Sequence, residues 1–133
     1  MVNIYILFIR SFLEQSSVVW HYDITEEEIS DIERVQKVAC KVILGQRYTD
    51  YPSALHFLSL QSLKSRREEL CLRFAKKCLR QEKTKSMFPL NTNQTQLNLR
   101  DTKKVHVQFV STTRLLKSCI PSMQRALNSD SKC

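Results

Sequence analysis

The near absence of glycine constrains the fold of this chain more than any other feature of its sequence. Gly45 is the only glycine among 133 residues, which include three prolines. Tight β-hairpin turns usually need glycine at positions of positive φ, whereas the Leu, Lys, Arg, Glu and Gln that fill the longest segments favour helices. We therefore predict a mainly α protein. It is a small bundle of three long helices and one short helix, with a poorly ordered or weakly β C-terminal extension.

The first long helix is predicted from Val2 to about Ser16 by a wide apolar stripe at helical spacing. The breadth of this stripe predicts burial from several sides. The segment is far shorter than the roughly 20 apolar residues that cross a bilayer, so we interpret it as a core helix and predict no membrane partner. An anchor at the membrane interface is the minor alternative. The apolar residues are Ile4, Leu7, Phe8, Ile9, Phe12 and Leu13.

The second long helix is predicted to begin at Thr25 and to end at Gly45. Thr25 and Glu28 have the spacing of a capping box, and glycine is the preferred residue for a left-handed C-terminal cap. The order of acidic before basic residues matches the helix dipole, so it requires no ligand. The predicted inward stripe consists of Ile29, Ile32, Val35, Ala39, Val42 and Ile43.

After a short helix starting at Pro52, Ser62 is the predicted N-cap of a third long helix that runs to about Glu82. Its predicted inward residues are Leu63, Leu70, Cys71, Phe74, Ala75, Cys78 and Leu79. Nine basic and three acidic residues between Ser62 and Lys85 give this segment a net charge of +6, against +8 for the whole chain. A chain this basic attracts polyanions, with nucleic acid as the leading partner.

Arg73, Lys76, Arg80 and Lys83 recur at steps of three and four residues, which predicts a ridge of cations on one side of this helix. A merely solvated helix face is the alternative. No base-reading motif accompanies the ridge, so we predict contacts to phosphate alone. The predicted nucleic-acid-binding residues are Arg66, Arg73, Lys76, Lys77, Arg80 and Lys83, and Arg67 is expected on the same outer surface.

Three domains are predicted from composition. Residues 1–88 form the helical domain, residues 89–104 form a flexible linker rich in Asn, Gln and Thr, and residues 105–133 form a C-terminal extension. The alternation of Val105, Val107 and Phe109 predicts a weak strand. A short helix interrupted by Pro121 is expected over residues 118–128, followed by a frayed end.

The sequence contains none of the motifs that hold nucleotide phosphates or catalytic zinc, and it contains no GxSxG. His21 with Asp23, or His106 with Cys119, could pair as base and nucleophile, but isolated pairs of this kind are usually chance. We predict no catalytic residues and no cofactor.

Five cysteines, without a CxxC motif, indicate reduced thiols and an intracellular location in the cytoplasm or nucleus. A zinc site would need Cys71 and Cys78 together with His21, His56 or His106, and we predict no metal.

Three segments of the sequence, and the order in which they occur, point to a known family. They are "FIRSFLEQSSVVWH", "IERVQKVACKVILG" and "LSLQSLKSRREELCLRFAKKCL". They resemble consecutive parts of the non-LTR retrotransposon reverse transcriptases of the jockey-like kind, and the resemblance covers roughly Ile4 to Asn128. In that family the region follows the palm and contains the thumb and the C-terminal connection. The resemblance therefore implies a helical unit that lies against a template and primer duplex.

The resemblance also implies what this chain lacks. The family's palm motif ends in two adjacent aspartates that bind metal ions, and no two aspartates are adjacent here. The upstream endonuclease has no counterpart either. Val18, Val38 and Ser65 depart from the family's proline, basic residue and capping glutamate. The chain thus resembles a truncated copy that keeps the thumb without the enzyme.

Three functional hypotheses follow. The first is a non-catalytic remnant that binds the backbone of RNA, DNA or an RNA–DNA hybrid without reading sequence. The second is an interaction module in which the apolar faces of the first two helices bind a protein partner or a second copy. The third is a retroelement relic with no selected function.

Overall fold

The computed structural model describes residues 1–90 and 105–130. Of these residues, 73% lie in helices and none lies in a β-strand, which confirms the predicted mainly α fold. The chain divides into two compact units, Met1–Glu69 and Leu70–Cys133, with the division inside the third long helix. The predicted linker lies outside the described residues except for Pro89 and Leu90, so the three predicted domains stay a prediction.

The first unit begins with a helix that is continuous through three segments: α1 (Val2–Ile4), a π-helical segment (Tyr5–Arg10) and α2 (Ser11–Glu14). After it come α3 (Ser17–Trp20), α4 (Glu26–Leu44), a 3-10 turn (Gly45–Arg47) and α5 (Tyr51–Phe57). The long helix α6 (Leu63–Arg80) starts in this unit. The second unit holds the rest of α6 with α7 (Glu82–Lys85), α8 (Thr113–Lys117) and α9 (Cys119–Asp130).

The helix starts follow the predicted caps. The N–H of Glu28 donates to Thr25 Oγ1 at 3.3 Å while the N–H of Thr25 donates to Glu28 Oε2 at 2.7 Å, which completes the capping box. Ser62 caps α6 by accepting from the N–H of Ser65 at 3.2 Å. Gly45 ends α4 with a φ of 54° and a ψ of −122°, so the predicted left-handed cap is wrong in ψ. Glycine nevertheless adopts this positive-φ conformation more readily than any other residue.

The core of the first unit is built on the buried residues Tyr5, Cys40, Ala54 and Leu60. The predicted inward stripe of α4 is partly wrong, because Val35 and Val42 are exposed and the polar Gln36 is buried. The buried face of α4 is centred on Gln36 and Cys40, each one residue after the predicted Val35 and Ala39.

The N-terminal helix is not buried from several sides. Tyr5 is its one buried residue within the helix, whereas Ile4, Leu7, Phe8, Ile9 and Phe12 are exposed. In the described structure this helix packs one face against the unit and turns the rest of its apolar surface outward. The predicted burial of this helix from several sides is therefore wrong, because the other elements of the first unit cover one of its faces and leave the rest exposed.

The second unit packs α6 around Cys71, Ala75 and Cys78, with Phe88, Met123 and Leu127 also buried. Phe74, predicted inward, is 44% exposed. Pro121 lies in the first turn of α9 and does not interrupt it, since proline is tolerated where no intrahelical N–H bond is needed.

The weak strand predicted from Val105 does not form. Val105 makes a single isolated antiparallel bridge with Leu90, and residues 106–110 have no regular structure. Side-chain amides of α9 bind the main chain instead. Asn128 Oδ1 accepts from the N–H of Val105 at 3.1 Å, and Gln124 Oε1 accepts from the N–H of Gln108 at 3.0 Å.

Helix α6 ends at Arg80, earlier than the predicted Glu82. Gln81 has an extended backbone and starts α7. The hydroxyl of Thr84 donates to the carbonyl of Cys78 at 2.9 Å, so a side chain satisfies an acceptor that a longer helix would have used.

Candidate nucleic-acid interface

The predicted cations Arg73, Lys76, Lys77 and Arg80 lie on the last part of α6, within the second unit, and all four are exposed. At 3.6 residues per turn they fall within an arc of about 100°. The buried residues Cys71, Ala75 and Cys78 occupy the opposite side of the helix. The structure therefore places these four cations together on an outward face.

Lys83 is exposed but belongs to α7. The predicted single-helix ridge of four regularly spaced cations is thus wrong at its last member, because the backbone changes direction at Gln81. Lys83 remains a cation of the second unit, one short helix beyond Arg80.

Lys76 makes an acidic contact within the second unit. Its ammonium Nζ lies 2.6 Å from Oδ2 of Asp130, near the end of α9, and both side chains are about half exposed. An ion pair this exposed contributes about 0–1 kcal/mol, so a phosphate could displace the carboxylate. Asp130 carried no sequence signal for this role, since it is 54 positions away in the chain.

Arg66 lies in the first unit and differs from the others. Its Nε is 3.3 Å from Oε1 of Glu14, and its guanidinium is 3.6 Å from Glu69. The side chain is 26% exposed. Two carboxylates already offset its charge, so Arg66 is a weaker candidate for phosphate binding than the cations of the second unit.

Arg67 does not lie on the outer surface, so this expectation is wrong. Its exposed fraction is 0%, and its guanidinium carbon lies 5.5 Å from the centre of the Trp20 ring. The indole N–H of Trp20 donates to the carbonyl of Gln15 at 3.0 Å, which gives the indole the partner that burial requires. Arg67 and Trp20 therefore help to hold α3 against α6.

His21 is buried next to this pair. Burial lowers its pKa below the ordinary 6.5, and the nearby positive charges of Arg67 and Lys64 lower it further, against an opposing effect of Glu68. The imidazole is therefore kept neutral in the folded protein, and its contribution is to packing in the first unit.

A buried polar network in the first unit was missed by the sequence reasoning. Gln36 accepts from the hydroxyl of Tyr5 at 2.6 Å and donates to the hydroxyl of Tyr51 at 3.0 Å and to the carbonyl of Gln61 at 2.9 Å. Tyr51 donates in turn to the carboxylate of Glu33. Burial raises the pKa of both tyrosines, and the acceptor Glu33 reinforces the shift at Tyr51.

The same carboxylate fixes the start of the basic helix. Glu33 Oε2 accepts from the N–H of Leu63 at 3.1 Å, at the positive end of the α6 dipole. The signal available in the sequence was the polar pair Glu33 and Gln36 on an otherwise apolar helix face. The polar groups of this network form hydrogen bonds with one another, so we interpret the network as a contribution to the stability of the fold.

Over residues 1–90 and 105–130, no three His, Cys, Asp or Glu side chains are grouped so that they could hold a metal ion. Within the same ranges, no helix has the length and apolar content needed to cross a membrane. Among the described cysteines, Cys40, Cys71, Cys78 and Cys119 form no disulfide bond.

No family model matches this sequence, and neither a curated protein nor a solved structure matches it.

Proposed function

We propose that this chain is a non-catalytic fragment resembling the thumb and C-terminal region of a retrotransposon RNA-directed DNA polymerase. In this proposal it binds nucleic-acid backbones without sequence preference inside the cell. The observation that carries the binding proposal is the exposed face of Arg73, Lys77 and Arg80 on α6, opposite the buried stripe of the same helix. Lys76 and Lys83 would add to it.

The chemistry of this face supports contacts to phosphate. Arginine and lysine neutralise phosphate charge and release condensed counterions, which gives affinity that falls as salt rises. No side chain of the face has the paired donor and acceptor geometry with which Asn or Gln reads adenine. In this proposal the arginines, which can also read guanine, contact phosphate and leave the bases unread.

The test is a salt titration of binding, measured by fluorescence anisotropy with duplex DNA, an RNA–DNA hybrid and single-stranded RNA. The variant carries Arg73→Gln, Lys77→Gln and Arg80→Gln. The matched control carries Lys37→Gln, Arg47→Gln and Lys64→Gln, three exposed cations of the first unit. Both variants have the same net charge, so only the location of the lost cations differs.

We expect the α6 variant to lower the slope of log affinity against log salt by about 2 to 3 for duplex DNA, since each contact contributes roughly 0.9. The control variant should keep the wild-type slope. Equal slopes for the two variants would show that binding reflects overall charge and would remove α6 from the interface. A tenfold preference between two duplexes of scrambled sequence would contradict backbone recognition.

A further inference from the structure

A groove of about 460 Å³ lies in the first unit between the N-terminal helix and α4. Ile4 and Ile9 line it from one helix, and Val35, Val38 and Val42 line it from the other. Well-formed sites for small ligands combine apolar walls with several convergent polar groups. This groove offers almost none, so its chemistry suits apolar side chains of a protein.

Two exposed phenylalanines stand beside the groove on the same helix. Phe8 is 71% exposed and Phe12 is 74% exposed. They follow Ile4, which lines the groove, at steps of four residues, and neither phenylalanine lines the groove itself. The N-terminal helix therefore carries both residues that line the concave apolar groove and projecting aromatic side chains.

The size of this surface indicates what covers it. The eight exposed apolar residues of the N-terminal helix and α4 together present on the order of 900 Å². The area is close to the ~800 Å² that each partner contributes to a standard protein interface. The eight residues are Ile4, Leu7, Phe8, Ile9, Phe12, Val35, Val38 and Val42.

The groove has both a positive and a negative side chain beside it, which favours a second copy of this chain over a partner that is strongly acidic or strongly basic. Arg34 lines the groove with its side chain 77% exposed, and Asp31 lies one turn earlier on α4 with its side chain 65% exposed. The two are 3.7 Å apart within one chain. In a twofold dimer each copy presents the same patch, so an antiparallel approach of two α4 helices would bring Arg34 of each copy toward Asp31 of the other.

We propose that this surface is the interface of a twofold homodimer, in which Phe8 and Phe12 of one copy enter the groove of the other. By symmetry, each groove then holds the phenylalanines of the other copy, and the contacts between Asp31 and Arg34 fix the antiparallel register. The inference concerns the first unit alone and is independent of the proposed binding of nucleic acid by the second.

The first experiment is sedimentation equilibrium of the full chain over a wide range of protein concentration. We expect a reversible monomer–dimer equilibrium whose dissociation constant rises at least tenfold in Phe8→Gln and in Phe12→Gln. Phe57→Gln is the matched control, because Phe57 is also exposed, at 65%, but lies on α5 away from the groove. All three phenylalanines are exposed, so circular dichroism should show the same helix content in each variant.

A charge exchange tests the register. Arg34→Glu should weaken the dimer, and Arg34→Glu combined with Asp31→Lys should restore most of the affinity. A monomer at every concentration would overturn the proposal, as would a dimer that Phe8→Gln and Phe12→Gln leave unchanged. A monomer that binds phosphatidylcholine vesicles or a designed amphipathic helical peptide would assign the surface to lipid or to another protein, and would overturn it equally.

Discussion

The hydroxyl of Tyr5 donates a 2.6 Å hydrogen bond to Oε1 of Gln36, across 31 positions of sequence, and both side chains are buried. This bond joins the N-terminal helix to α4. The amide nitrogen of Gln36 also donates to the hydroxyl of Tyr51 and to the carbonyl of Gln61. Together with the Tyr5 bond, this one side chain connects α4 to three other parts of the first unit. The inner face of the N-terminal helix is thus anchored by a polar bond as well as by the packing of Val2 and Ile6.

Gln36→Leu tests this anchor. The substitution keeps a similar volume but leaves the Tyr5 hydroxyl and the Gln61 carbonyl without a buried partner, so we expect a loss of about 1–3 kcal/mol in the free energy of unfolding. Urea denaturation measures it. Gln46→Leu, at an exposed position of the 3-10 turn, should change stability by less than about 0.5 kcal/mol. Similar midpoints for both variants would show that the network is dispensable.

The stability of the first unit should depend on His21 in mildly acidic solution. Its pKa is lowered in the folded state by burial and by Arg67 and Lys64, so the unfolded chain binds the proton more readily. Its neutral form is compatible with folding above pH 6.5, and the free energy of unfolding should fall as the pH drops below that value.

His21→Gln should flatten this pH dependence below about pH 6.5. His56→Gln is the control, because His56 is exposed on α5, and it should retain the wild-type dependence. Thermal unfolding at a series of pH values provides the measurement. If the two variants respond to pH alike, His21 is not the group responsible.

Thr25→Ala removes the capping box at the start of α4. The N–H of Glu28 loses its acceptor, and the Glu28 carboxylate loses one of the two hydrogen bonds that lower its pKa. We expect a loss of about 1 kcal/mol in the free energy of unfolding, measured by urea denaturation. Ser30→Ala, at an exposed position inside α4, should be neutral or slightly stabilising because alanine favours helix interiors.

Asp130→Asn frees Lys76 for phosphate. If α6 binds nucleic-acid backbones, affinity at low salt should rise several-fold, and the salt slope should steepen by up to about 0.9. Asp23→Asn, at an exposed position of the first unit, adds the same charge and is the control. An equal rise in both variants would point to overall charge.

Gln124→Leu tests the amides that hold residues 105–110. Gln124 accepts from the N–H of Gln108 and donates to the carbonyl of Met87 at 2.9 Å, and it is 1% exposed. Loss of both bonds should destabilise this part of the second unit by about 1–3 kcal/mol. Faster hydrogen exchange at the Gln108 amide, with the exchange of α4 unchanged, would be the sign. Unaltered exchange at Gln108 would contradict the contact.

Local sequence chemistry predicted the helix starts well and the packing less well. Thr25 and Ser62 could be identified because a cap needs only residues within one turn. The exposure of Phe8 and Val42 could not, since apolar periodicity shows that a face is apolar without showing whether another element covers it. Arg67 was misplaced for the opposite reason. Its charge suggested solvent, but an aromatic ring lies close enough to shelter it.

For the candidate interface, the sequence located the positive charge but not its local acidic contacts. The exposed face of Arg73, Lys77 and Arg80 follows from helical spacing alone. The pairing of Lys76 with Asp130, and of Arg66 with Glu14, depends on residues more than 50 positions apart. The end of α6 at Arg80 is accompanied by a contact that the sequence did not indicate, the hydrogen bond from the Thr84 hydroxyl to the Cys78 carbonyl.

The way α9 holds residues 105–110 has an evolutionary consequence. Asn128 and Gln124 bind the main-chain atoms of Val105 and Gln108, which every amino acid except proline can supply equally. The anchoring therefore does not depend on the exposed side chains of His106, Gln108 and Phe109. Variation should accumulate there freely, while the two amide side chains on α9 would be the ones that related chains keep.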